Sequence, residues 1–163
     1  SENLAHYLDL YNKWSSYTPE KDGVMIAYAS IYGNTKKAAE LLYDKLKAKG
    51  VDVIITDLAR CDMSKAISDA FAYGKLVLAT PTYNADVFPF MRTFIEGLTE
   101  RNYQKRTVAF IENGAWAPMA AKVMAGMFEK SKELNILDKT VKITCALNDA
   151  SAAQIDELAE ELA

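Results

Sequence analysis

From Val24 onward, short apolar runs alternate with longer stretches whose apolar residues recur at helical spacing. Val24–Ala29, Val51–Asp57, Lys75–Ala79, Thr107–Ile111 and Val141–Leu147 are predicted strands. Four strong helical faces follow the 3.6-residue period: Ala38, Leu41, Leu42 and Leu46; Met91, Phe94, Ile95 and Leu98; Ala120, Val123, Met124, Met127 and Phe128; and Ile155, Leu158, Ala159 and Leu162. A weaker one surrounds Ile67, Ala70 and Phe71. Five strand–helix units predict an α/β fold, a parallel sheet with helices on both faces.

The polarity of each run orders the strands. VMIAYA, LVLA and VAFI are continuously apolar and suit central positions, buried on both sides. The second strand carries Asp52, Thr56 and Asp57, and the fifth alternates Val141, Ile143, Cys145 and Leu147 with Lys142, Thr144 and Ala146, as edge strands do. The expectation is a doubly wound five-stranded sheet in the order 2-1-3-4-5, with right-handed crossovers.

Residues 1–23 follow another pattern. Leu4, Tyr7, Leu8 and Tyr11 lie at i, i+3, i+4 and i+7, after which Trp14, Ser15, Ser16, Thr18, Pro19 and Gly23 break the period. This predicts a short amphipathic helix and a linker, its aromatic stripe packing on this or a neighbouring domain. The chain starts at Ser1 rather than Met, and 1–23 is expected to be the tail of an upstream domain, with 24–163 the domain proper.

Composition narrows the chemistry. Nineteen basic and 22 acidic side chains give a net charge of -3, so no broad cationic field exists for nucleic acid or an anionic membrane. No apolar run approaches the roughly 20 residues a membrane helix needs, and no signal pattern opens the chain, so a cytoplasmic location is expected. Cys61 and Cys145 stand far apart and are expected to be reduced structural thiols. The single histidine, His6, argues against a histidine-based triad or a histidine-rich metal cluster. No metal site and no acid–base catalytic residue is expected; any chemistry belongs to a borrowed cofactor.

Ligands of a doubly wound sheet bind beyond the carboxyl ends of the strands, at the switch between strands one and three. There the chain reads Ser30-Ile31-Tyr32-Gly33-Asn34-Thr35 and opens a helix. Gly33 permits close backbone approach, and hydroxyl and amide donors surround a helix N-terminus, which suits a terminal phosphate. The lysine of a nucleoside-triphosphate loop is missing. Helix capping alone would need only one of these donors. Ser30 and Thr80 occupy positions where response-regulator receivers need acids, which excludes that reading. After strand three comes Thr80-Pro81-Thr82-Tyr83-Asn84-Ala85-Asp86-Val87-Phe88-Pro89, and after strand four Glu112-Asn113-Gly114-Ala115-Trp116-Ala117-Pro118. A phosphate site, a loop of exposed amides and a large aromatic together fit a phosphorylated planar heterocycle.

These residues resemble the flavodoxin-like superfamily, whose phosphate loop commonly reads T/S-x-T/S/Y-G-N-T/S. Closer still is the resemblance to the flavodoxin-like domain of flavodiiron proteins, in which S-x-Y-G-N-T is followed by a P-T-Y-N loop and a Gly-x-Trp loop. Tyr11 to Trp14 also look like the linker by which those proteins leave their preceding domain. The resemblance covers nearly the whole chain and implies that the ligand is FMN. Ser30, Ile31, Tyr32, Gly33, Asn34 and Thr35 would hold the phosphate. Pro81, Thr82, Tyr83 and Asn84 would contact the pyrimidine side of the isoalloxazine, and Asn113, Gly114, Ala115 and Trp116 would wall the ring. Two departures stand out: Ala85 and Asp86 replace glycines common after the second loop, and Ala115 and Ala117-Pro118 flank Trp116 where many members have Ser and Gly. A positive φ is disfavoured at Ala85, which bears on how far a one-electron-reduced flavin is stabilised.

The resemblance further implies electron relay from an external donor, a rubredoxin-like protein or a flavoprotein reductase, to a diiron centre that reduces dioxygen or nitric oxide. That centre would sit in a metallo-β-lactamase-like domain, since this chain lacks its ligands, and head-to-tail homodimers are common in the family. Three other readings stay open: a free-standing flavodoxin carrier, an NAD(P)H:quinone oxidoreductase of the same fold, and a cofactor-free binding domain.

Overall fold

The computed structural model describes residues 4, 5, 8, 16–83, 86–114, 119–144 and 146–163, with Tyr83 and Asp86 described by backbone alone. One sheet contains β1 (Lys21–Tyr28), β2 (Asp52–Asp57), β3 (Tyr73–Tyr83), β4 (Asp86–Val87), β5 (Thr107–Asn113), β6 (Asn135–Ile136) and β7 (Val141–Ile143). The helices are α1 (Asn34–Ala48), α2 (Met63–Ala72), α3 (Pro89–Glu100), α4 (Ala120–Met127) and α5 (Asp149–Leu162). The sheet runs β2-β1-β3-β5, and β6 and β7 both pair with the far side of β5, all in parallel. This is the doubly wound order expected, with the fifth position shared by two short strands.

Alternation along the central strands builds two cores. Met25, Ala27, Leu76, Leu78, Val108 and Phe110 face α2, α3 and α4, where Ile67, Phe94, Met124 and their neighbours complete the packing. Val24, Ile26, Val77, Ala79, Ala109 and Ile111 face α1 and α5, meeting Leu42, Leu46, Ile155 and Leu162. A strand buried on both faces has no polar side to alternate with, which is why these runs are unbroken.

Several strand boundaries differ from expectation, three of them for a reason the structure shows. First, β1 begins at Lys21 rather than Val24, because Gly23 lies inside the strand instead of breaking it. A Cβ there would sit 2.4 Å from the Asp52 carbonyl oxygen, so glycine permits β1 and β2 to close up. Second, β3 continues past Ala79 to Tyr83: Thr80 and Pro81 lie opposite Glu112 and Asn113, and Thr82 and Tyr83 pair antiparallel with Val87 and Asp86. The start of the predicted loop is thus strand. Third, the last strand ends at Ile143. There the Lys142 N–H turns away from the ladder and donates to Gln154 Oε1 of α5 at 2.8 Å, which protects the sheet edge.

The entering segment is fastened to the amino end of the sheet. Lys105 Nζ donates to the Ser16 carbonyl at 3.0 Å, and Arg106 donates to those of Tyr17, Gln104 (2.7 Å), Phe71 (2.6 Å) and Tyr73 (3.2 Å). Arg106 is 4% exposed, lies over the rings of Phe71 and Tyr103, and has its pKa lowered by burial. Farther upstream, Leu4, Ala5 and Leu8 are helical, and Leu4 and Leu8 are exposed. The rest of the predicted stripe, Tyr7 and Tyr11, and Trp14 after it lie outside the described residues.

Candidate functional site

The carboxyl ends of β1, β3 and β5 lie side by side, since Tyr28 pairs with Ala79 and Ala79 with Ile111. One further bond, Ala29 N–H to the Ala79 carbonyl at 2.9 Å, holds the chain in line before it turns at Ser30. The Ser30 hydroxyl then accepts the N–H groups of Gly33 at 3.1 Å and Lys36 at 3.4 Å, folding the loop back on itself.

Gly33 is the N-cap of α1, with φ at +86°, and brings no side-chain oxygen to cap the helix. A Cβ there would meet nothing within 4 Å, so the glycine answers to the left-handed backbone rather than to crowding, and the space before the helix is open. The first turn of α1 has no acidic residue, and Lys36 and Lys37 follow directly. Cations near a helix N-terminus oppose the helix dipole. A bound anion reverses that penalty, and neutral donors, an open approach and nearby lysines together fit a phosphate.

The remaining predicted residues fall into distinct surroundings. Ile31 and Tyr32 are exposed, Tyr32 to 90%. Thr35 is buried, and its hydroxyl accepts Asn113 Nδ2 at 3.5 Å, so the phosphate loop and the third loop touch through these two residues. Thr80 is buried and donates to the Pro81 carbonyl at 3.2 Å. Thr82 Oγ1 accepts the N–H groups of Met119 at 3.1 Å and Ala120 at 3.3 Å, linking the second loop to the start of α4. Gly114 N–H donates to the Ile143 carbonyl at 3.0 Å. The structure therefore assembles Ser30–Thr35, Pro81–Tyr83 and Asn113–Gly114 at one end of the sheet. Asn84, Ala85, Ala115, Trp116, Ala117 and Pro118 lie outside the described residues.

Glu112 received no role from its sequence, yet it is 3% exposed in β5 and accepts the Ala121 N–H at 2.9 Å through Oε2. The available signal was an acid closing an apolar strand. A cavity of about 450 Å3, lined by Tyr17, Ser64, Phe71, Arg101 and Arg106 among others, lies at the opposite end of the strands, under the entering segment. Cys61 is a half-buried free thiol whose pKa is raised, chiefly by burial; Cys145 is outside the described residues. Among the described residues no cluster of His, Cys, Asp and Glu stands ready for a metal, and no helix is long and apolar enough to cross a membrane.

Comparison with known proteins supplies the context. Residues 26–157 match the model of the flavodoxin family. An uncharacterized protein of Methanocaldococcus jannaschii is 31% identical over 163 residues, 98% of this chain and 41% of the relative. Rubredoxin-oxygen oxidoreductase of Megalodesulfovibrio gigas is 28% identical over 118 residues, 69% of this chain and 29% of the relative. Among solved structures, the flavodiiron protein from Giardia intestinalis shares the fold over 99% of this chain and 40% of its own, with a TM-score of 0.90 and 16% identity. A flavodoxin from Archaea covers 86% of this chain and 95% of its own, with a TM-score of 0.73 and 18% identity. The chain thus spans about two fifths of the length of the relatives it matches over nearly its whole extent. With the family model matched from the middle of β1 into α5, this chain belongs to the flavodoxin family, whose domains bind FMN.

Proposed function

We infer that this chain is the electron-transfer domain of a flavodiiron oxygen or nitric oxide reductase, with FMN held at the carboxyl ends of β1, β3 and β5. The observation that carries the FMN reading is the open, glycine-capped N-terminus of α1 beside Ser30, with the second and third loops at the same end of the sheet. Ser30 to Thr35 would hold the phosphate, Pro81 to Asn84 would contact the pyrimidine side of the ring, and Asn113 to Trp116 would wall it. FMN supplies the electron-transfer chemistry. The protein's part is to bind, to orient and to set the local charge.

The flavodiiron reading has support in how far the likeness reaches. The shared fold covers 99% of this chain for the Giardia intestinalis flavodiiron protein and 86% for the archaeal flavodoxin, so the former likeness takes in more of the chain. Curated relatives at 26–28% identity include rubredoxin-oxygen oxidoreductase and a nitric oxide reductase. In this reading residues 1–23 lead in from a diiron domain, the donor is a rubredoxin-like protein or a flavoprotein reductase, and the assembly is a homodimer. A free-standing flavodoxin is the second reading, favoured by the match to the archaeal protein over 95% of its length.

The test is stopped-flow reduction of the FMN-loaded chain by a reduced rubredoxin under anaerobic conditions. Rapid, saturable reduction is expected, with no sustained turnover of NAD(P)H and a quinone. Sustained quinone turnover by the chain alone would overturn the reading in favour of a quinone reductase.

A further inference from the structure

Helix α4 is capped from outside. Its N-cap, Met119, makes no side-chain cap, and the first N–H groups go instead to side chains from two central strands. Thr82, at the end of β3, accepts from Met119 and Ala120; Glu112, near the end of β5, accepts from Ala121. The segment between Glu112 and Ala121 is the third loop, so a single side chain ties its beginning to its end. Glu112 is buried, and among the described residues no lysine or arginine pairs with it. Its charge rests on the N–H of Ala121 and the positive end of α4.

A buried carboxylate costs several kcal/mol to desolvate. A neutral glutamine at this position would keep an acceptor for Ala121, so capping alone does not call for the charge. We propose that Glu112 is a positioning residue for the third loop and, through its fixed negative charge, biases the bound flavin toward the oxidised state. This rests on the FMN reading above. Full reduction of bound FMN takes two electrons from an external reductant and one proton from solvent, leaving the ring with one more negative charge. A carboxylate fixed at the same end of the sheet, in a water-poor setting, opposes that added charge.

The experiment compares the parent with Glu112→Gln and Glu112→Ala by FMN fluorescence titration, potentiometric titration with dithionite, and amide hydrogen exchange at Ala120 and Ala121. Glu112→Gln keeps the acceptor and removes the charge. It is expected to bind oxidised FMN within about threefold of the parent and to favour the reduced form about tenfold more. For a two-electron couple this is a shift of about 30 mV to more positive potential. Glu112→Ala removes both, and is expected to bind oxidised FMN about tenfold more weakly, with faster exchange at Ala121. Potentials of Glu112→Gln equal to the parent's would overturn the charge effect, and unchanged FMN affinity and exchange in Glu112→Ala would overturn the positioning role. A parent that binds no FMN defeats the cofactor reading itself and this inference with it, an outcome distinct from either variant's failure.

Discussion

The Ser30 hydroxyl accepts the Gly33 N–H at 3.1 Å, and this bond shapes the turn that leaves the N-terminus of α1 open. A phosphate site of this kind works by arriving folded, so that binding does not have to order the loop. Ser30→Ala removes a hydrogen bond of about 1 kcal/mol and is expected to weaken FMN binding about fivefold. Gly33→Ala forces a side chain into a left-handed backbone at a cost of about 1–2 kcal/mol, and is expected to weaken binding about tenfold. Isothermal titration with FMN measures both. Equal affinity in the two variants and the parent would mean that the phosphate sits elsewhere.

Arg106 holds the far end of the domain together. Its guanidinium joins the entering segment, at the Tyr17 carbonyl, to Phe71 at the end of α2, Tyr73 at the start of β3 and Gln104 ahead of β5. Arg106→Met leaves several carbonyls unsatisfied, and a loss of about 3 kcal/mol or more is expected in urea unfolding. Arg106→Lys is expected to recover little, because an ammonium cannot reach acceptors spread around a planar fork. Limited proteolysis should open both variants near residues 16–18 while FMN affinity stays close to the parent's. Full stability in Arg106→Lys would contradict this account.

Tyr103 gives the fold an alkaline limit. Its ring is fully buried against Phe71 and Phe128, and among the described residues its hydroxyl has no hydrogen-bond partner. Burial raises its pKa strongly, and the Arg106 guanidinium opposes this only in part. The folded state therefore keeps the proton that the unfolded chain gives up near the ordinary tyrosine value of about 10. Stability from this group is complete below pH 10 and falls as pH rises above it. Tyr103→Phe should match the parent at pH 7 and lose less stability between pH 10 and 11 in thermal melts. Parallel curves for the two proteins would exclude Tyr103 as the cause.

Gly23 marks where sequence reading and structure part. By pattern it is a breaker ahead of β1; in the fold it is a point of contact between β1 and β2. Local sequence cannot tell a glycine used for a turn from one used for close approach, because the neighbour it makes room for is far away in the chain. Gly23→Ala is expected to destabilise the domain by about 2 kcal/mol or more, read from the urea midpoint. An unchanged midpoint would mean that the strands can spread at no cost.

Polarity separated central from edge strands, since unbroken apolar runs such as Val24–Ala29 suit strands buried on both faces, and the doubly wound pattern with right-handed crossovers supplied their order. The turn into α1 was legible because Ser30, Gly33, Asn34 and Thr35 fall within one short stretch of sequence. Glu112 was not, because its role depends on Ala121, and their relation exists only once β5 and α4 are placed. The start of the second loop is strand for a similar reason: Thr82 and Tyr83 become strand only through pairing with Val87 and Asp86.

The central claim is that FMN binds at the carboxyl ends of β1, β3 and β5 through its phosphate. Its most direct test is equilibrium titration of the chain with FMN and with riboflavin, followed by desalting and an absorption spectrum. The account predicts one FMN per chain retained after desalting, with riboflavin bound at least a hundredfold more weakly and lost. Equal affinity for the two flavins, or no flavin retained after reconstitution, would contradict it.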